Sequence, residues 1–368
     1  MKLSKQTSSR GRTAMRVLVP ALALLGFGAE VAASTITQNA SWTVNRSLTS
    51  TKYRVVAYGD SIFAGFNTGV TSVAKYPGPT VQAEYLSALW KADIESIRRT
   101  KSGALAKDIY ENKIVAERSY MQASSTRVVA FEMCGNDGLQ NRADFDGQTG
   151  TCSYTKLEAG TESCRTHVAK AMDYINANAY SGVKVKIISN LHYPGIDKYN
   201  KTSSCKDAST GKGVNVSEMM LGYAARVNWL MGDYARQKGF VYVDSFAMYH
   251  AADYDTNGDG LVDAEAIKYV SGESEASYVT RITQTLRSTI KDANLKKVSA
   301  STTIDYIQSD DTHPTFTGGS ASTGLSGTAS GSAAPRYTSF TNGKSPIWDR
   351  YAHERTGWAM SVGNPTAP

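Results

Sequence analysis

Short, nearly continuous apolar runs alternate along this chain with longer stretches in which apolar residues recur every three or four positions. The runs are rich in β-branched and aromatic residues, which is typical of strands buried on both faces of a sheet. They predict strands at residues 53–58, 128–133, 183–189 and 240–244, with a weaker one at residues 93–98.

The stretches between the strands have helical periodicity and predict helices at residues 80–90, 104–116, 164–177, 217–238 and 278–293. In the last of these, Tyr278, Ile282, Leu286 and Ile290 recur every four residues and form one apolar face. Strands that alternate with helices predict parallel crossover units, and hence a three-layer α/β/α domain with a central, mostly parallel sheet. Ligands of such domains bind at the carboxyl ends of the strands.

A basic and then apolar segment precedes the first strand. Five lysines and arginines lie before an apolar stretch at residues 17–28, and small residues precede Ser34. This pattern predicts a secretory signal peptide over residues 1–33, because the apolar stretch is too short and too interrupted for a membrane span. We therefore expect a secreted or periplasmic protein with no integral membrane segment after cleavage. Residues 34–51 are polar and predict a loosely held N-terminal arm.

The predicted signal peptide contributes most of the net charge. The chain has 40 basic and 33 acidic residues and a net charge of +7, but residues 1–33 hold five of the basic and one of the acidic residues. The remainder therefore has 35 against 32, a net charge of +3. It contains no basic stripe interleaved with aromatic residues, so nucleic acid is not an expected partner.

Four cysteines, Cys134, Cys152, Cys164 and Cys205, fit an exported protein, in which disulfides persist. Their spacing does not match that of zinc ligands. Two disulfides are expected, and all three pairings are open. The chain between residues 134 and 205 is rich in glycine and polar residues, so we expect the bridges to hold an irregular excursion there.

Residues suited to ester chemistry follow several of the predicted strands. The segment Gly-Asp-Ser-Ile at residues 59–62 follows the first strand, Ser-Gly-Ala at residues 102–104 the weaker one, and Cys-Gly-Asn-Asp at residues 134–137 the strand at residues 128–133. Late in the chain, residues 310–313 read Asp-Asp-Thr-His. A serine on a turn after a buried strand, with a late acid and histidine three positions apart, is the set that nucleophilic ester chemistry needs.

These four segments resemble, in order, the first, second, third and fifth sequence blocks of the SGNH (GDSL) hydrolase family. The resemblance implies a hydrolase domain over residues 52–368 with the family's flavodoxin-like fold. It implies Ser61 as the nucleophile, His313 as the base and Asp310 as the acid that orients the imidazole. It also implies an oxyanion hole made of the backbone N–H groups of Ser61 and Gly103 and the side-chain amide of Asn136. This chemistry requires no cofactor.

Some positions have two interpretations. Asp311 competes with Asp310 for the role of the acid that orients the imidazole. The family's spacing of three residues before the histidine favours Asp310. His192 either lines the cleft or is a packed or surface histidine. Cys134 stands where the family has glycine, so that it either narrows the site or is tied into a disulfide that fixes the loop, and we favour the disulfide.

The residues next to the serine have expected structural roles. Gly59 and Gly65 are expected to let the backbone fold tightly around Ser61. Asp60 is expected to order its own loop by hydrogen bonds to the backbone rather than to transfer protons.

A candidate calcium loop lies at residues 255–266, within a candidate insertion at residues 250–275. Oxygen ligands at alternate positions, with glycine at the sixth, are typical of EF-hand or dockerin loops. The ligands would be Asp255, Asn257, Asp259, Leu261 and Asp263. The twelfth position, however, is Ala266 and not an acid, and Glu265 is one place away. A structural Ca²⁺ and a solvated acidic turn both stay open.

The resemblance implies a serine ester hydrolase that forms an acyl-enzyme on an ester of a carbohydrate or a lipid. No amphipathic lid helix is evident, which favours acetyl or other short acyl esters of carbohydrate. The alternatives are a lipase or phospholipase, an acyltransferase with the same triad and, from another class, a non-catalytic glycan-binding protein on the same fold. Residues 318–334, rich in Gly and Ser, predict a flexible loop near the histidine.

Overall fold

The computed structural model of the protein describes residues 38–44, 52–66, 73, 77–191, 200–250, 267–288 and 312–313. The predicted signal peptide, the candidate calcium loop and the Gly/Ser-rich loop at residues 318–334 lie outside these ranges. Of the helices in the described ranges, none combines the length and the apolar character that crossing a bilayer requires.

The described strands are β1 (Ala40–Val44), β2 (Lys52–Gly59), β3 (Asp93–Thr100), β4 (Thr126–Phe131), β5 (Gly150–Thr151), β6 (Val185–Ser189), β7 (Thr202–Lys206), β8 (Gly213–Asn215) and β9 (Val241–Val243). The described helices are α1 (Ser61–Ala64), α2 (Gly78–Trp90), α3 (Ala106–Ile109), α4 (Ser119–Gln122), α5 (Gly135–Asp146), α6 (Thr155–Asn178), α7 (Val216–Lys238), α8 (Ser245–His250) and α9 (Glu275–Ser288).

The central sheet has the strand order β1-β3-β2-β4-β6-β9. All its neighbouring strands are parallel except β1, which is antiparallel to β3. Numbered along the chain, the five parallel strands lie in the order 2-1-3-4-5, which is the flavodoxin-like arrangement. The predicted α/β fold with a mostly parallel central sheet is thus confirmed. The strand order reverses between β2 and β4, and ligands of such sheets bind at the carboxyl ends of the strands at this point.

Successive residues of β2 face opposite sides of the sheet. Val55 and Ala57 pack in a cluster with residues of α2 and α9, whereas Val56 and Tyr58 pack in a second cluster with residues of α3, α4 and α6. All four side chains are fully buried. Because helices cover both faces, residues 55–58 of β2 and 128–131 of β4 form short apolar runs, and these runs predict the two strands from the sequence.

The N-terminal arm expected at residues 34–51 contains a strand that was not predicted. Ala40–Val44 form β1 and pair with β3 in a register that runs from Ala40 opposite Arg98 to Val44 opposite Ile94. β1 is an edge strand, and Ser41 and Thr43 are exposed. A strand that is wet on one side lacks the continuous apolar run that identifies the inner strands.

The chain between residues 134 and 205 is more regular than predicted. It contains α5, α6 and β6, and β5 and β7 join β8 in a second, three-stranded sheet. α6 begins at Thr155, whereas the sequence predicts a start at residue 164. The first turns of the helix are mostly exposed and polar, so they lack the apolar periodicity that identifies a helix in the sequence. Upstream, the helix predicted at residues 104–116 consists of α3 followed by a π-helical segment, Tyr110–Val115.

Two disulfides connect these elements, as expected. Cys134 pairs with Cys164, which ties the start of α5 to α6. Cys152 pairs with Cys205, which ties the end of β5 to β7. Of the three pairings that the sequence left open, the structure therefore has this one.

Candidate active site

Ser61 is the first residue of α1, directly after the turn that follows β2. Asp60 caps this helix, since its Oδ1 atom accepts a hydrogen bond of 2.9 Å from the N–H of Ile62. This is the loop-ordering role expected of Asp60. Gly65 ends the helix in the left-handed conformation, with φ of 76°, and its N–H donates to the carbonyls of Ile62 and Ser61. The turn holds Ser61, which is 4% exposed, at the carboxyl end of a central strand.

Glu132 lies beneath this turn and was not predicted. It directly follows β4, and its Oε1 atom accepts hydrogen bonds from the N–H groups of Asp60, at 3.0 Å, and Phe63, at 3.2 Å. Burial raises the pKa of Glu132 well above its usual range, and the neighbouring Asp60 carboxyl raises this pKa further. Glu132 thus fixes the residues on both sides of Ser61. The only signal in the sequence is one acid inside the apolar run at residues 128–133.

Gly59 makes room for Glu132. A Cβ atom at residue 59 would lie 2.8 Å from Oε1 and 2.9 Å from Cγ of Glu132. Gly59 is not among the described glycines with positive φ, so a left-handed turn is not the reason for a glycine here. The expectation of a tight backbone turn therefore holds for Gly65, whereas Gly59 is needed for space.

Asn136, near the start of α5, connects the loops that follow β2 and β3. Its Nδ2 atom donates to Oδ2 of Asp60, at 3.0 Å, and to the carbonyl of Ala104, at 3.1 Å. The side chain is buried, and Asn136 lines the same cavity as Ser61. The structure therefore brings these two predicted site residues together.

Gly103 lies in the loop after β3, next to the turn that carries Ser61. The N–H of Lys101 in this loop donates to the carbonyl of Gly59 at 3.0 Å. Gly103 is buried and has φ of 73°, a conformation that favours glycine. Its carbonyl accepts a hydrogen bond from Gln140 of α5 at 3.2 Å. Gly103 itself is not among the residues that line the cavity.

Cys134 precedes α5 in the left-handed conformation, with φ of 83°. This conformation explains why glycine suits the position, because a Cβ atom makes it strained. The disulfide with Cys164 holds the residue there, as predicted. The Cys134 carbonyl also accepts a hydrogen bond from the hydroxyl of Tyr223 at 3.3 Å.

Asp137, the last residue of the same segment, supports the loop structurally. Its Oδ2 atom accepts a hydrogen bond of 2.8 Å from the N–H of Ala106, at the start of α3. Burial raises the pKa of Asp137 to about 6. The side chain thus joins α5 to α3 and does not line the cavity that Ser61 and Asn136 share.

His313 is buried next to the Ser61 turn. Its ring packs against the ring of Phe66, with centroids 4.5 Å apart and planes inclined by 41°. Phe66 in turn donates its N–H to the carbonyl of Ser61 at 3.0 Å. The preceding residue, Thr312, lines the cavity that contains Ser61 and Asn136.

This cavity has a volume of about 40 Å³. Besides Ser61, Asn136 and Thr312, it is lined by Asp60, Ile62, Glu132, Gly135, Leu139, Leu191, Met220, Tyr223 and Ala224. One side of the cavity is therefore polar and belongs to the β2 and β4 loops, whereas leucine and methionine side chains form the other.

Several predicted residues lie outside the described ranges, and their roles stay predictions. They are Asp310, Asp311, His192 and the candidate calcium ligands Asp255, Asn257, Asp259, Leu261 and Asp263. Within the described part of the chain, no group of three His, Cys, Asp or Glu side chains is arranged to hold a metal ion.

A comparison with protein-family models finds no match, and a comparison with curated proteins finds none either. Several solved structures are similar. A lipase from a goat rumen metagenome has 13% identity and a TM-score of 0.41, covering 64% of this chain and 96% of its own. An extracellular lipase from Streptomyces rimosus has 17% identity and a TM-score of 0.36, covering 61% and 92%. An acetyl xylan esterase from Geobacillus stearothermophilus has 15% identity and a TM-score of 0.34, covering 64% and 93%.

Proposed function

We propose that the protein is an exported serine ester hydrolase of the SGNH type that works through an acyl-enzyme intermediate. The observation that carries this proposal is the meeting of three remote segments at the ends of β2 and β4. Ser61, Asn136 and Thr312 line one cavity there, and His313 packs on the turn that carries Ser61. This is also the point of the sheet at which the strand order reverses, where α/β proteins bind their ligands.

In the proposed reaction, the Ser61 hydroxyl attacks the carbonyl carbon of the ester while His313 accepts the hydroxyl proton. The imidazolium then gives this proton to the departing alcohol, which leaves the acyl group on Ser61. Water then attacks the acyl-enzyme while His313 accepts one of its protons, and the imidazolium returns this proton to the Ser61 oxygen as the acid leaves. Asp310, three residues before His313 in the sequence, is proposed to orient the imidazole.

The tetrahedral intermediate carries a negative oxygen, which needs hydrogen-bond donors in fixed positions. We propose the Asn136 amide and the backbone N–H groups of Ser61 and Gly103 for this role. Asn136 is supported by its place in the cavity. Because its Nδ2 already donates to Asp60 and Ala104, the oxyanion would share one of these two hydrogens.

We further propose short acyl groups, such as acetyl on carbohydrate, as the substrates. The volume of about 40 Å³ and the apolar wall of Leu139, Leu191 and Met220 support this. Export is supported by the two disulfides, which persist in oxidising compartments.

The proposal is tested by assaying 4-nitrophenyl esters from acetate to palmitate with the wild type, Ser61→Ala and a control variant. The control is Ser209→Ala, in an exposed turn. We expect the wild type and the control to hydrolyse acetate faster than palmitate, and Ser61→Ala to lose about 10⁴-fold or more in kcat. A fluorophosphonate probe should label the wild type at Ser61 only.

Three results would overturn this function. Equal turnover by Ser61→Ala and the wild type would exclude Ser61 as the nucleophile. Absence of turnover on every ester, together with absence of labelling, would exclude an esterase and favour the glycan-binding alternative. Acyl transfer to an added alcohol that is faster than hydrolysis would assign the same site to a transferase.

A further inference from the structure

Two carboxyl groups are buried side by side beneath the Ser61 turn. Asp60 is 2% exposed and Glu132 is 5% exposed. The backbone N–H of Asp60 donates to Oε1 of Glu132 at 3.0 Å, the two carboxyl groups interact with each other, and both residues line the cavity that contains Ser61 and Asn136. Among the described ion pairs, none joins a lysine or arginine to either carboxyl. A buried pair of this kind holds one proton, since two adjacent negative charges in a low dielectric are unfavourable.

The hydrogen-bond donors around the pair indicate which carboxyl keeps the proton. Both oxygens of Asp60 accept N–H donors, Oδ1 from Ile62 and Oδ2 from Asn136. In Glu132, by contrast, both N–H donors, from Asp60 and Phe63, meet the single oxygen Oε1. The other oxygen, Oε2, is therefore the atom that can carry a proton. Asp60 is arranged as a carboxylate and Glu132 as a neutral acid.

We propose that Glu132 is a positioning residue whose neutral carboxyl group donates a hydrogen bond from Oε2 to the Asp60 carboxylate, which in turn orients the Asn136 amide. The resulting chain of contacts runs from β4, through the cap of α1, to the amide at the start of α5. It rests on the proposed function, because orienting Asn136 matters for turnover only if this amide binds the oxyanion.

The protonation state of Glu132 controls the charge beside the oxyanion. With Glu132 neutral, the pair carries one negative charge, which is delocalised over an Asp60 carboxylate that accepts three hydrogen bonds. With Glu132 ionised, the pair carries two charges, and a third would form on the intermediate. Burial and the neighbouring Asp60 raise the pKa of Glu132, so its neutral form persists to higher pH than that of an ordinary glutamate. We therefore expect kcat to decline on the alkaline side of the pH profile, as Glu132 ionises.

Other titratable and charged groups lie near the Asp60–Glu132 pair. Asp137 of α5 interacts with Asp60, and its pKa is raised to about 6. Tyr223 of α7 lines the cavity, and burial raises its pKa well above the usual range. Arg98 of β3 donates to the carbonyl of Ala64 at the end of α1 and keeps its charge through neutral pH.

The test compares Glu132→Gln with Asp60→Asn on 4-nitrophenyl acetate between pH 6 and about 10. Glutamine copies a neutral glutamic acid, since its oxygen accepts the two N–H bonds and its NH₂ donates to Asp60. We expect Glu132→Gln to keep kcat within about threefold at pH 7 and to lose the alkaline decline. Asp60→Asn should lower kcat about tenfold or more with little change in KM, because the Asn136 amide loses its charged acceptor.

The opposite ranking, with Asp60→Asn active and Glu132→Gln inactive, would overturn the proposal by placing the proton on Asp60. An alkaline decline that persists in Glu132→Gln would also overturn it. Glu132→Ala serves as the structural comparison. It leaves the N–H groups of Asp60 and Phe63 without their acceptor, so it should lower the melting temperature more than Glu132→Gln does.

Infrared difference spectroscopy gives a readout that does not depend on turnover. The spectrum of the wild type minus Glu132→Gln at neutral pH should contain the carbonyl stretch of a protonated carboxylic acid, shifted in D₂O. If this band is missing, the neutral Glu132 is excluded even when the enzyme is active. If the band is present but no ester is hydrolysed, the proposed function fails and Glu132 loses its positioning role, while the carboxyl pair stands.

Discussion

The imidazole ring of His313 packs against the phenyl ring of Phe66, with the two centroids 4.5 Å apart. Phe66 also donates its N–H to the carbonyl of Ser61 at 3.0 Å. Phe66 therefore connects the predicted nucleophile with the predicted base, although the two lie about 250 residues apart in the sequence.

Replacing Phe66 with alanine should misplace the imidazole. We expect kcat on 4-nitrophenyl acetate to fall by about 10 to 100-fold with little change in KM, because small displacements of a catalytic group cost this much. Phe66→Tyr, which keeps the ring, should retain most of the activity. Steady-state kinetics of both variants checks this, and an unchanged kcat in Phe66→Ala would show that the ring contact does not position His313.

Asn136→Ala tests whether the side-chain amide of Asn136 donates a hydrogen bond to the oxyanion. We expect a loss of about 10² to 10³-fold in kcat, the usual effect of removing one such donor. The matched control is Asn141→Ala in the same helix, whose Nδ2 donates to the carbonyl of Asp137 and not to the loops after β2 and β3. Both variants should be compared by kinetics and thermal melting. Equal losses of kcat in the two would mean that damage to α5, and not a missing donor, explains the effect.

Gly59→Ala should disturb Glu132 and, through it, the Ser61 turn. The added Cβ atom would lie 2.8 Å from Oε1 of Glu132, so we expect the free energy of unfolding to fall by about 1 to 3 kcal/mol. In a Glu132→Ala background the same change should cost less, because the clashing carboxyl group is gone. Urea unfolding of the four proteins in this cycle measures the coupling.

Gly222→Ala is the control for that cycle. Gly222 lies within α7, and an added Cβ atom there would meet nothing within 4 Å. Because alanine is the better helix former, this variant should be more stable than the wild type by about 0.5 to 1 kcal/mol.

In the cycle itself, additive effects of Gly59→Ala and Glu132→Ala on the free energy of unfolding would contradict the close contact between residues 59 and 132.

The sequence predicts β2 and β4 well, because strands buried on both faces contain apolar runs, as residues 55–58 and 128–131 do. Ser61 and Asn136 are predictable because each stands in a short motif directly after such a strand, where the fold places ligands. Glu132 could not be predicted in the same way. A single acid at the end of an apolar run has no partner at a fixed spacing, and only the packing against Gly59 and Asp60 reveals its position.

The edge strand β1 and the disulfide pairing also could not be predicted from the sequence. β1 is half-exposed, so its apolar pattern is weak, and its position depends on pairing with β3 far along the chain. The disulfide pairing depends on which helix packs against the start of α5. The spacing of the cysteines in the sequence does not predict this packing. The left-handed backbone of Cys134, likewise, is evident only from the structure.

This backbone conformation makes a prediction about the disulfide. With Cys164 replaced by alanine, Cys134→Gly should be more stable than Cys134→Ala by about 1 kcal/mol, because glycine adopts a φ of 83° without strain. Both double variants should be less stable than the wild type, by about 2 to 4 kcal/mol, the usual effect of losing a bridge. Urea unfolding checks the ranking. Equal stability of the two variants would show that the left-handed conformation depends on the disulfide and relaxes without it.

Asp137 should make the stability of the protein depend on pH in an unusual direction. Burial raises its pKa to about 6, above the value of about 3.9 for an unfolded aspartate. The folded state therefore holds the Asp137 proton more tightly than the unfolded state does. The stabilisation that this provides is complete below about pH 4 and is lost as the pH rises towards 6, and a pKa difference of about 2 corresponds to about 3 kcal/mol.

Asp137→Asn removes this titration while keeping an oxygen that can accept the N–H of Ala106. We therefore expect the free energy of unfolding of the wild type, relative to that of Asp137→Asn, to fall by about 3 kcal/mol between about pH 4 and 7. Asp144→Asn, at an exposed position of the same helix, serves as the control and should show no such fall. Urea unfolding at pH steps of about 1 measures the differences. A difference that is constant, or that rises with pH, would mean that Asp137 is ionised in the folded protein at acidic pH, with its charge stabilised by the α3 N–H donor.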